Sequence, residues 1–144
     1  MFDERSAVKQ PDERVIDPKK VPAWQSPDAA RTVSFLTGRE NCGAKEICTT
    51  LFWLAPGKKT VPDVHPDSEE VYYVVAGEAD LLLEGKTFHV SKGMVAFIPA
   101  GVTHQSVNTG AEDLCYFCVF SPPPVGPWRH EVENWRKIRG GKKR

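Results

Sequence analysis

Asp63, His65, Glu70 and His104 are the residues whose types and spacing could do chemistry. Asp63 and His65 stand two apart in "VPDVHPDSEEVYYVVAG", so an extended chain puts them on one face, and Glu70, Tyr72 and Val74 share a face on the run that follows. Such spacing can direct Asp63, His65 and Glu70 into one cavity. His104 follows the turn "PAG", where proline and glycine fix a tight approach to the next strand, and a barrel can bring it opposite the other three. Two imidazoles with one or two carboxylates in a dry cavity suit a divalent first-row metal and leave positions open for substrate or dioxygen. Read singly, each has a plainer role: a core histidine bonded to backbone, or surface charges at a turn for Glu69 and Glu70.

The elements that must position these residues are short. From Arg31 onward the sequence breaks into "RTVSFLT", "KEICTTLFWLA", "EEVYYVVAG", "ADLLLEG", "KTFHV", "MVAFIPAG", "HQSVNTG" and "DLCYFCVFS", each bounded by Gly, Pro, Asn or Ser. Short strands with this punctuation predict an all-β sandwich or barrel. "VYYVV" and "LLL" are apolar on both faces, which predicts cover by a second sheet, by the chain's ends or by another copy, and a homodimer is expected. Residues 1–28 are polar and carry prolines at 11, 18, 22 and 27, the pattern of an extended arm that Val21 and Trp24 could pin. Residues 29–125 form the β domain. In the tail, 126–144, Trp128, Val132 and Trp135 recur at helical spacing and predict a short amphipathic helix.

Composition excludes several classes. Nineteen basic residues balance nineteen acidic ones, so no global field draws the chain to nucleic acid or to a charged membrane, and a partner must be sought in a local site. The start "MFDERSAVKQPDER" has no apolar core of a signal peptide and no run is long enough to span a bilayer, so a soluble cytoplasmic protein is expected. The pair Cys115 and Cys118 looks like a CxxC motif, but residues three apart on a strand point to opposite faces and would not converge on one metal. Cys42 and Cys48, like this pair, read as reduced packing thiols.

Two motifs in order carry a resemblance. Gly57, Asp63, His65, Glu70 and Gly77 follow the first cupin motif apart from its first histidine, and Gly93, Pro99, Gly101, His104 and Asn108 meet the second in full. The sequence therefore resembles the small single-domain, type-2 (RmlC-like) cupins over roughly residues 45–121. The resemblance implies a jelly-roll β-barrel, a double-stranded β-helix, with His65, Glu70 and His104 as ligands of one divalent metal per chain. His89 and His130 match no ligand position.

Asp63 occupies the place of the missing histidine. An anionic oxygen there hardens the site and favours iron(II) or manganese(II), with nickel(II) or zinc(II) as alternatives. Asp63 is either a fourth ligand or, being shorter than histidine, a group that orients a bound water or takes a proton from substrate. Tyr72 resembles the tyrosine that works beside the metal in cupin sulfonium-propionate lyases, and Lys58 and Lys59 could attract an anionic substrate. The expected function is a mononuclear metal enzyme of dioxygenase, lyase, decarboxylase or isomerase type acting on a small oxygenated or carboxylated molecule. The alternative is a non-catalytic cupin that binds a small ligand or a protein partner.

Overall fold

Side-chain alternation organises the larger of two antiparallel sheets in the computed structural model, which describes residues 14–124 and 132–138. The chain runs through β1 (Ala23–Gln25), β2 (Arg31–Thr37), a single-turn helix α1 (Arg39–Cys42), β3 (Cys48–Leu54), β4 (Glu69–Ala76) and β5 (Glu78–Leu83). It continues through β6 (Lys86–Ser91), β7 (Val95–Ile98), β8 (His104–Asn108), β9 (Leu114–Ser121) and β10 (Arg136–Ile138). Seven strands form one sheet in the order β10-β1-β2-β3-β9-β4-β7, and β6-β5-β8 form the second. The core lies between them: Leu54, Val74, Leu114 and Tyr116 from the larger sheet meet Ala79, Leu81 and Val90 from the smaller. Each fully buried aliphatic side chain there, such as Leu54 or Leu81, contributes roughly 1.5–3 kcal/mol. This is the all-β jelly-roll expected from the motifs.

Residues 57–63 extend the smaller sheet along the free side of β8 without forming a regular strand. The Thr60 amide donates to the Ser106 carbonyl at 2.9 Å, the Asn108 amide donates to the Lys58 carbonyl at 2.9 Å, and Asp63 and His104 form an isolated antiparallel bridge. Gly77 makes the turn from β4 to β5. Its φ is +80°, and a Cβ there would stand 2.6 Å from the Asp113 carbonyl oxygen, so both the turn and the close crossing of β9 require glycine.

Of the two doubly apolar runs, "VYYVV" supplies the outer face of the larger sheet, and "LLL" lies in β5 of the smaller sheet with Leu81 and Leu83 on the core. Val71, Tyr73 and Val75 alternate with the inward Glu70, Tyr72 and Val74, and Tyr73, Val75, Val95 and Phe97 are exposed. Cys115 and Cys118 fall on opposite faces of β9, opposite Trp53 and Thr50 of β3. Burial pushes the Cys115 thiol up to about 12 and Cys118 well above its ordinary value, so neither is a ready thiolate.

The two ends of the described chain meet at the edge of the larger sheet. The arm contributes a strand, because Ala23–Gln25 pairs with β2 on one side and β10 on the other. The expected tail helix falls largely outside the described residues; in its described part Val132 is in a helical turn, the Trp135 amide donates to the Val132 carbonyl at 3.0 Å, and Arg136–Ile138 is then extended and hydrogen-bonds along β1. Trp128, His130, residues 1–13 and residues 142–144 lie outside the described residues. Among the described residues, no helix is long and apolar enough to cross a membrane.

Candidate metal centre

His104 opens β8 and Glu70 lies near the start of β4, on the inward face of two sheets that close on each other. The irregular segment before β4 supplies the other two side chains. Its position is fixed by backbone: Asp63 and His104 each donate an amide to the other's carbonyl at 2.9 Å, and the Gly101 amide donates to the His65 carbonyl at 2.9 Å. The glycine of "PAG" thereby anchors His65 as well as leading into His104.

All four side chains predicted from the sequence come together. Glu70 Oε1 is 3.4 Å from His104 Nε2 and 3.7 Å from His65 Nε2, and Asp63 Oδ2 is 3.7 Å from His65 Nε2. Asp63, His65 and His104 form a group whose ligand atoms all lie within 4.8 Å of one another. The two proximities favour different carboxylates, and burial separates them. The Glu70 side chain is 3% exposed and its Oε1 has no hydrogen-bond partner, whereas the Asp63 side chain is 42% exposed and its Oδ1 accepts the Val64 amide at 2.8 Å. An unpartnered buried carboxylate oxygen between two imidazole nitrogens is costly alone and well suited to a cation. Two donors each about 2.1 Å from one ion stand about 3–3.5 Å apart, close to the separations observed. The residues therefore fit a divalent metal.

Hydrogen bonding prepares His104 for that role. Its Nδ1 lies 3.0 Å from the Val102 carbonyl, and donation there leaves Nε2 unprotonated and facing Glu70. Burial lowers the His65 pKa, with Asp63 raising it and His104 lowering it. Burial raises the Glu70 pKa well above the ordinary carboxylate value, the Asp63 charge adds to the rise, and a hydrogen bond from Tyr72 works against it. Tyr72 stacks on Tyr116 at 4.2 Å between ring centres, and burial followed by the Glu70 charge raises its pKa well above normal. The Tyr72 hydroxyl therefore holds its proton at neutral pH and acts as a hydrogen-bond donor.

The four residues and Tyr72 line a cavity of about 140 Å³. The rest of its wall was not foreseen: Arg31, Val33 and Phe35 of β2, Phe52 of β3, and Val132 and Trp135 from the C-terminal segment. Alternation in "RTVSFLT" puts Arg31, Val33 and Phe35 on one face, the signal that could have found the first three. Lys58 and Lys59 are exposed and do not line the cavity. His89 lies on the exposed β5–β6 surface with Asp80 and Glu78, away from the centre.

With this geometry in hand, known proteins place the chain. The family model described as the cupin domain matches residues 50–120, and this chain belongs to the cupin superfamily. Among curated relatives it is 36% identical over 67 residues to an uncharacterised protein of Methanocaldococcus jannaschii, covering 46% of this chain and 54% of that one. It is 34% identical over 74 residues to polyketide synthase CurC of Streptomyces cyaneus, covering 51% and 47%. The chain spans about half the length of the first curated relatives it matches. Among solved structures, the polyketide cyclase RemF of Streptomyces resistomycificus superposes with a TM-score of 0.68 at 24% identity, covering 78% of this chain and 82% of that one. A protein described as a predicted oxalate decarboxylase of Thermotoga maritima gives 0.65 at 25% identity, covering 76% and 99%.

Proposed function

We propose that this cupin is a mononuclear metal-dependent enzyme that moves protons on a small oxygenated substrate, a reaction of lyase or isomerase type. The observation that carries the reading is Glu70 Oε1, buried, without a hydrogen-bond partner, and 3.4 and 3.7 Å from two imidazole nitrogens in a cavity wall. His65, Glu70 and His104 would hold the ion, and the carboxylate oxygens favour iron(II) or manganese(II). A divalent ion supplies Lewis acidity to a substrate oxygen.

The chain's own groups supply the proton transfers. Asp63 is exposed enough to meet a substrate, and its Oδ1 is fixed by the Val64 amide while Oδ2 faces the cluster, the arrangement of an oriented general base. Tyr72 keeps its proton and faces the same cavity, the arrangement of an oxyanion hydrogen-bond donor. Asp63 and Tyr72 line the same cavity, so base and hydrogen-bond donor serve one small volume. A polyketide synthase, a polyketide cyclase and a predicted oxalate decarboxylase stand among similar proteins in support of an enzymatic role, beside an oxalate-binding protein and an auxin-binding protein that suit the binding alternative.

Turnover of a panel of small β-keto acids, hydroxy acids and diketones, with iron, manganese, nickel and zinc each supplied, tests the reading. Metal-dependent conversion that Asp63→Asn removes supports it. Ligand-induced stabilisation with no conversion by any metal overturns it in favour of a binding module. The homodimer is also carried forward as a proposal, through the exposed outer face of Tyr73, Val75, Val95 and Phe97.

A further inference from the structure

Arg31 begins β2 and lines the same cavity as the metal cluster. Its guanidinium carbon stands 4.9 Å from the centre of the Trp135 ring, and among the described residues it makes no salt bridge. The nearby acid, Asp28, is already engaged: its Oδ1 accepts the Ser26 hydroxyl at 2.6 Å and the Ala30 amide at 3.1 Å. The backbone of Arg31 is fixed at both ends of its peptide unit, its amide donating to Ser26 Oγ at 3.0 Å and its carbonyl accepting the Ser26 amide at 2.9 Å. Trp135 is brought to it by β10, which is held on β1 and tied further by Arg136 donating to the Gln25 side chain at 2.8 Å.

A half-buried guanidinium with one face on an indole and, among the described residues, no salt bridge, only the longer-range pull of Asp28, can receive an anion from the cavity. Its place in the sheet gives a distance scale. β2 is separated from β4 by β3 and β9, about 14 Å along the sheet at about 4.8 Å per strand, and the register sets Arg31 level with Leu114 and Glu70 level with Phe120, toward opposite ends of β9. The wall between them is largely apolar or aromatic, with Val33 and Phe35 of β2, Phe52 of β3 and Tyr116 and Phe120 of β9, interrupted by Thr50 and Cys118. A cavity of about 140 Å³ is similar to one that accommodates a benzene ring in a protein interior.

We infer that Arg31, braced by Trp135, binds the carboxylate of a substrate whose flat apolar middle packs on Phe35 and Phe52 and whose oxygenated far end reaches the metal cluster. This deepens the proposed function by naming its substrate class, an elongated unsaturated or single-ring acid, and rests on that reading only for the far end. A dianion as short as oxalate would not reach both poles.

The test is equilibrium binding of 4-hydroxycinnamate and of its uncharged primary amide to metal-free and metal-loaded protein. The expected result is that wild type prefers the acid by about tenfold or more in both forms, that Arg31→Met abolishes the preference, that Arg31→Lys keeps part of it, and that Trp135→Ala weakens it. Each variant's folding is checked by its thermal transition. Equal binding of acid and amide by wild type, no binding of the acid at millimolar concentration, or an unchanged preference in a folded Arg31→Met would overturn the inference. A preference that persists in protein unable to retain metal would leave the inference standing while removing the enzyme proposed above.

Discussion

Asp63 and His104 face each other across an isolated antiparallel bridge, each donating its amide to the other's carbonyl at 2.9 Å. The residue that departs from the cupin motif is thus joined by backbone to the histidine that completes it. Because the pairing uses main-chain atoms, side-chain substitution at Asp63 leaves the local geometry in place. Asp63→Asn is expected to retain metal, measured by elemental analysis, while lowering turnover by about 10²-fold or more, the usual worth of a positioned general base. Parallel loss of metal and activity would instead make Asp63 a ligand.

Glu70 gives a prediction of opposite signs. In metal-free protein, burial of its carboxylate next to the Asp63 charge works against the ionised form, so Glu70→Gln is expected to leave the thermal transition unchanged or raise it. The same substitution is expected to weaken metal binding, and with it the stabilisation that added manganese or zinc provides. His65→Ala and His104→Ala should each abolish metal retention. A histidine variant that binds metal as wild type does would show that the ligand set is wrong.

The cluster also sets a pH dependence. Glu70 has a raised pKa in the folded state, so its contribution to stability is complete below its unfolded value and is lost as pH rises through the folded one. His65 has a lowered pKa, so its contribution is present above its unfolded value and is lost as pH falls through the folded one. Metal binding needs both groups deprotonated. The shift in melting temperature caused by metal is therefore expected to grow from about pH 5 to about pH 8, and a shift independent of pH would count against these two residues as ligands.

Gly77→Ala should destabilise the protein by at least about 2 kcal/mol in a denaturant titration, because the new Cβ meets the Asp113 carbonyl and φ is positive. Little change would mean that the β4–β5 turn relaxes away from β9.

For the proposed homodimer, light scattering is expected to give twice the chain mass for wild type and a monomer for the double variant Tyr73→Lys, Phe97→Lys. A monomeric wild type at micromolar concentration would end that proposal.

The strands β2 to β9 were legible because each combines an apolar run with a turn signal, and the four cluster residues were legible because their types and spacing coincide with two motifs. β1 and β10 were not. A three-residue strand has no measurable period, and β10 depends on a partner more than a hundred residues away. Trp128, Val132 and Trp135 carry helical spacing, yet that spacing says only which residues could share a face, and Trp135 meets Arg31 instead. Arg31 itself went unnoticed as a site residue because no motif marks it. Its role follows from lining a cavity that only the closed sheets define.

Trp135 belongs to the cavity wall, whereas Trp53 points to the opposite face of β3 from Phe52. The protein consequently carries its own optical gauge of occupancy. An acid that withdraws Arg31 from the indole face would change the emission of Trp135, and Trp135→Phe would separate that change from the signal of the other three tryptophans.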